Sequence, residues 1–123
     1  ENDNCEFAAG LGGASVLAGI FSFADKLAEV SGGKLTVKMF PGGTLNSAPP
    51  QQYSRLLEGI ADISFGLPGY TGQLFPVINT IAVPGTCTDA VDGTNKLWNA
   101  ISLIEQEIDA KILALWTNDL AVL

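Results

Sequence analysis

The side chains with chemical potential in this sequence are few, and their spacing argues against covalent work. There is no histidine, the usual proton shuttle near neutral pH. The two cysteines, Cys5 and Cys87, have no basic residue near them in sequence to lower a thiol pKa, and their separation matches no metal motif. They either bridge in an oxidising compartment or stay free. The acidic pairs Asp89/Asp92 and Glu105/Asp109 could be imagined as acid and base, yet helix periodicity places them on a solvated face. No catalytic residue, metal site or cofactor is expected.

What remains is non-covalent recognition. Gly10-Leu11-Gly12-Gly13-Ala14-Ser15, between a strand and a helix, partly resembles a dinucleotide fingerprint. A nucleotide site would also want an acidic residue after the next strand to hold the ribose, and that strand ends Met39-Phe40-Pro41. Tyr70, between Gly69 and Thr71 in a strand-end loop, has little reason to be core. Trp116, ending an apolar strand, either stacks on a ligand or finishes the core.

The elements that must position these residues follow from periodicity. Glu6 to Gly10 reads as a poor short strand. From Ser15, a fair N-cap, Leu17, Ile20, Phe21, Ala24, Leu27 and Ala28 recur at helical spacing, and Ser31-Gly32-Gly33 ends the helix. Lys34 to Phe40 alternates as an edge strand should. Pro49 and Pro50 suit the first turn of a second helix whose buried face is Tyr53, Leu56, Leu57 and Ile60. Gly59 closes that helix, and Ala61 to Leu67 runs on as a strand. Gln73 to Thr86, broken by Pro76 and Pro84, reads as irregular with a short helix. Asp89 caps a long helix with Leu97, Ile101, Ile104 and Ile108 inward and Glu105, Glu107 and Asp109 outward. Lys111 to Trp116 has the unbroken apolar run of a central strand covered on both faces. The order β-α-β-α-β-α-β predicts an α/β fold, a mostly parallel sheet with helices on its faces.

In such a sheet a ligand sits beyond the carboxyl ends of the strands. Four loops are therefore privileged: Leu11 to Ala14, Pro41 to Leu45, Leu67 to Thr71, and Thr117 to Asp119. Three of them contain glycine, which lets backbone N–H groups approach an anion, although glycines also simply make tight turns.

Totals bound the function. At 123 residues and 47% apolar composition, residues 1–123 are expected to form a single domain. A net charge of −7, with the basic residues scattered singly, makes nucleic acid an unsuitable partner. Arg55 is the only arginine, and no apolar run is long enough to span a membrane. Glu1-Asn2-Asp3-Asn4 lacks the basic and apolar regions of a signal peptide.

Several stretches resemble the periplasmic solute-binding receptors of TRAP transporters, the DctP-like family. They are Phe23 to Val37, with its helix, paired glycines and strand; the turn Phe40-Pro41-Gly42-Gly43-Thr44-Leu45; the passage Leu57 to Tyr70; and Lys111 to Thr117. The resemblance implies an N-terminal lobe of a two-lobed, type II-like periplasmic-binding-protein clamp, with the second lobe absent. Such a receptor holds a C4-dicarboxylate or related organic acid and delivers it to a membrane permease without chemistry. Carried over by position, ligand contacts fall on Leu11, Pro68, Tyr70, Trp116, Thr117 and Asn118. Gly12-Gly13-Ala14 departs from the proline or polar residues of the family's first loop, and the family's carboxylate-pairing arginine belongs to the second lobe. The alternatives are a stand-alone α/β nucleotide-binding or enzyme domain, for which only Asp119 stands in a strand-end loop, and an interaction domain without a ligand.

Overall fold

The alternation of Leu35, Val37 and Met39 and the helical stripe before it are realised as two layers of a parallel α/β unit. A computed structural model describes residues 3–9, 14–41, 43–45 and 48–118. The chain divides into two compact units, Glu1–Leu67 and Pro68–Leu123.

The first unit runs β1 (Asp3–Ala9), α1 (Ala14–Val30), β2 (Leu35–Phe40), α2 (Gln52–Leu57) and β3 (Ile63–Phe65). Its sheet has the order β2-β1-β3, parallel throughout, with Cys5 opposite Val37 and Phe7 opposite both Met39 and Ile63. The weak first strand is thus longer than its local pattern predicts and lies in the middle. Pairing with β2 from Asp3 to Ala8 outweighs the poor strand propensity of Asp3 and Asn4, and pairing with β3 from Phe7 to Ala9 makes the strand central. Its Phe7 and Ile20 of α1 are buried, with Val16, Leu17, Val37, Met39, Ile63 and Phe65 packed against them. Phe23 meets Phe7 edge to face, ring centres 6.4 Å apart, a geometry that aligns the positive ring edge with the negative face.

Both helices of this unit end as the glycines predict. Gly32 N–H donates to the Glu29 carbonyl and Gly33 N–H to Ala28, the paired bonds that satisfy orphan carbonyls at a helix end. Gly59 and Ile60 repeat the pattern on Leu56 and Arg55. Gly32 and Gly59 have φ of 63° and 73°, a conformation that costs any residue with a Cβ. Immediately after the second turn, Asp62 grips Glu6 of β1 twice. Its carboxylate accepts from the Glu6 N–H at 2.7 Å, and its own N–H donates to the Glu6 carbonyl at 2.9 Å. Helix α2 departs from the expected face: Gln52 is buried, whereas Leu57 and Ile60 are exposed. Six residues cannot carry an i to i+7 stripe, and the Gly59 turn releases Ile60 from the helix. Helix α1 begins at Ala14, so Ser15 lies inside its first turn instead of preceding it.

The second unit contains α3 (Pro76–Asn79), α4 (Ala90–Asn99) and α5 (Ile101–Ile104), with single 3₁₀ turns at Pro68–Thr71 and Thr80–Ala82. Phe75, Ile78, Cys87, Leu97 and Ile104 are buried, the last completely. Asp89 caps α4 as expected, accepting from the Asp92 N–H at 2.8 Å. The single long helix expected beyond it is broken at Ala100, whose φ of −97° and ψ of 10° leave the helical region.

The central strand expected over Lys111–Trp116 does not form. This segment makes no ladder in the described residues, and Leu113 and Trp116 are exposed. A strand needs a hydrogen-bonded neighbour, and the described elements of this unit are all helical. The segment is tied to α4 instead. Trp98 Nε1 donates to the Leu115 carbonyl, the Thr117 N–H to Thr94 Oγ1, and Thr117 Oγ1 to the Ala90 carbonyl, at 2.9, 3.1 and 3.0 Å.

Candidate functional site

In the first unit the order β2-β1-β3 creates a reversal. β1 connects through α1 to β2 on one side, and the chain then returns to place β3 on the other. Parallel sheets bind ligands beyond the carboxyl ends of strands at such a point, here the ends of β1 and β3. The chain leaves β1 through residues 10–13, which include Leu11 and lie outside the described residues, together with most of the glycine-rich stretch. It leaves β3 through Gly66 and Leu67, which lead directly into the Pro68–Thr71 turn.

In the second unit that turn has a defined internal structure. The Pro68 carbonyl accepts from Thr71 Oγ1 at 3.3 Å and from Asn79 Nδ2 at 3.2 Å, so it is already satisfied and Pro68 offers its ring. Tyr70 is 59% exposed. With Thr71, Gly72, Gln73 and Leu74 it lines a shallow open concavity. An exposed phenol beside an exposed leucine can stack on a flat ring and hydrogen-bond at its edge.

The 116–118 segment presents three different surfaces. Trp116 is 44% exposed, Thr117 is half-buried with hydroxyl and N–H both turned to α4, and Asn118 is exposed. Thr117 also lies against a helix position where only glycine fits. A Cβ on Gly93 would come within 2.7 Å of Thr117 Oγ1 and 3.3 Å of Cys87 Sγ. The Pro68 turn touches α3, α3 touches α5 and α5 touches α4, so the two segments share one helical framework.

Charge is the informative gap. Lys96 and Lys111 are the basic residues of the second unit, and both are engaged, Lys96 with Asp92 at 2.7 Å and Lys111 with Glu105 at 3.0 Å. In the first unit, Arg55 pairs with Glu58 at 2.8 Å. Lys26 pairs with Glu29 at 2.9 Å and Lys38 lies over the Phe40 ring, while Lys34 and Lys38 make no ion pair among the described residues. Lys96, followed by the Thr88 N–H, holds the Asp92 carboxyl below its ordinary value. The Asp89/Asp92 pair is therefore capping machinery. Cys5 and Cys87 are both free, and the described residues contain no group of ligating side chains that could hold a metal.

Two residues that shape the turn were missed by the sequence reading. Glu107, expected on the wet face, is half-buried, and its carboxylate accepts from the N–H groups of Val77 and Ile78 at the start of α3. Asn79 carries the amide that reaches Pro68. The available signal was a helix opening on Phe75-Pro76 with no capping side chain of its own.

Against this geometry the comparisons with known proteins are specific. A family model described as bacterial extracellular solute-binding protein, family 7, DctP, matches residues 14–121. The chain belongs to that family. No curated protein matches it. Among solved structures, a TRAP solute-binding protein from Rhodoferax ferrireducens, in complex with copurified benzoate, is 25% identical with a TM-score of 0.82. A marine metagenome TRAP solute-binding protein specific for aromatic acid ligands, with 3-hydroxybenzoate, is 22% identical with a TM-score of 0.85 and shares the fold. Each match covers 94% of this chain and 37% of the solved one. A TRAP periplasmic solute-binding protein from Roseobacter denitrificans, with bound β-D-glucuronate, is 26% identical with a TM-score of 0.73, covering 85% of this chain and 35% of that one. The chain therefore spans little more than a third of the length of these structures. The three-stranded parallel sheet with its helices matches their lobe fold, and the family is one of solute-binding proteins, not enzymes. The alternative of a nucleotide-binding or enzyme domain falls with that assignment.

Proposed function

We propose that residues 1–123 supply the N-terminal lobe of a periplasmic TRAP receptor that captures a small organic acid and delivers it to a membrane permease. The observation that carries this is the family match over residues 14–121 joined to the parallel lobe fold. No helix of the described residues is long and apolar enough to cross a membrane. Solute contacts are assigned to Pro68, Tyr70, Trp116, Thr117 and Asn118, and Leu11 is assigned from sequence alone.

Within the organic acids, a ring-bearing carboxylate fits better than a C4-dicarboxylate. Tyr70 and Trp116 offer exposed aromatic surface, and the similar structures hold benzoate, 3-hydroxybenzoate and glucuronate. A second carboxylate would need its own cation or backbone donors, and beside Tyr70 and Trp116 the basic residues of the same unit, Lys96 and Lys111, lie in ion pairs with Asp92 and Glu105. The pairing cation is assigned to the second lobe, as the family resemblance implies.

Thermal unfolding of the full-length protein against benzoate, 3-hydroxybenzoate, glucuronate and succinate tests the assignment. A ligand at 100 times its Kd stabilises the native state by about 2.7 kcal/mol, so a ring acid is expected to raise Tm clearly and succinate less. A flat Tm across the whole panel removes the organic-acid reading.

A further inference from the structure

Besides the Thr71 hydroxyl within it, the turn that carries Tyr70 is held by a side chain of α3. Asn79 Nδ2 donates to the Pro68 carbonyl at 3.2 Å and to the Phe75 carbonyl at 2.7 Å, tying together the two ends of the 68–75 segment. Both partners are acceptors, so only the NH₂ end of the amide can face them, and its orientation follows from the chemistry. The amide also lies along the glycines that flank Tyr70 and Thr71: a Cβ on Gly69 or Gly72 would stand 3.9 Å from Asn79 Oδ1 or Nδ2.

Asn79 is itself placed by a second contact. It ends α3, a four-residue helix that begins at Pro76 without a side-chain cap of its own. So short a helix has little stability alone. Its orphan N–H groups at Val77 and Ile78 are taken by the two oxygens of Glu107, at 2.9 and 2.8 Å, from about thirty residues downstream. A carboxylate at that end is favoured both as acceptor and by the helix dipole.

We propose that Asn79, supported through α3 by Glu107, is a positioning residue that fixes the Pro68–Thr71 turn before solute arrives, so that Tyr70 is presented in one arrangement. The proposal rests on the reading that this turn meets the solute. A turn ordered in advance spares the entropy of ordering it on binding, and affinity gains accordingly.

Hydrogen exchange and affinity on the full-length protein, using benzoate and glucuronate as probes, separate the two ideas. Asn79→Asp keeps the volume but points an oxygen at two carbonyl oxygens. Glu107→Gln is a milder change that weakens the cap and serves if the first variant fails to fold. Exchange in residues 68–75 of the unliganded protein is expected to quicken about tenfold in Asn79→Asp, and less in Glu107→Gln, with 90–99 unchanged. Affinity is expected to fall about tenfold when Tyr70 is present and to change little in a Tyr70→Ala background. Unaltered exchange in both variants overturns the positioning role. Equal affinity loss with and without Tyr70 overturns it as well, because the effect would not pass through the turn. Faster exchange with affinity untouched in Asn79→Asp and Tyr70→Ala alike instead overturns the assignment of this turn to the solute.

Discussion

Gly93 shows how one hydrogen atom in place of a methyl group can shape a framework. It is buried in α4, and a Cβ there would press on Thr117 Oγ1, whose hydroxyl holds the Ala90 carbonyl. Gly93→Ala is therefore expected to destabilise the protein by about 1–3 kcal/mol in urea unfolding. Gly19 is the control: it lies in α1 with nothing within 4 Å of its missing Cβ. Gly19→Ala is expected to stabilise by about 0.5–1 kcal/mol through helix propensity. Opposite signs in the two variants check the packing account, and a neutral Gly93→Ala would contradict it. Residue roles of this kind are only partly legible in sequence. The Asp89 cap is, because its partner is three residues away; Glu107 and Asn79 are not, because theirs are a long-range fold contact and a loop carbonyl.

At the scale of elements, the contacts at the N-terminus of α4 predict a pH dependence. Asp92 accepts from the Thr88 N–H and pairs with Lys96, which also donates to the Thr86 carbonyl. These contacts favour the carboxylate, so its pKa in the folded protein lies below its ordinary value. The stabilisation is fully present above that ordinary value and is lost as pH falls through the lowered one. Unfolding of wild type and Asp92→Asn measured from pH 6 to about pH 2 is expected to show a stability gap that closes on acidification; a constant gap would mean that the carboxylate charge contributes nothing. Helix ends were the most legible elements, since Gly32 and Gly59 act locally. The Lys111–Trp116 strand was misread because an apolar run states a preference for burial and cannot supply a neighbouring strand. The α4–α5 break was missed because the buried row Leu97, Ile104 continues across Ala100 undisturbed.

Over the whole molecule, the order of helices and parallel strands in the first unit was legible because each crossover carries its own turn signals, while the central place of β1 came only from pairing. Of the residues assigned to the solute under the proposed function, Tyr70 and Trp116 stand out in sequence as aromatics in loops, and both are exposed. Under the proposed function this lobe contributes shape and aromatic surface, and the carboxylate's cationic partner is assigned to the second lobe. Calorimetric titration of the full-length protein with benzoate, glucuronate and succinate tests this most directly. Saturable one-site binding of a ring acid at about micromolar Kd, near −8 kcal/mol, with Tyr70→Ala weakening it about tenfold, is the predicted result. Succinate bound more tightly than either ring acid, or wild-type affinity in Tyr70→Ala, would contradict it.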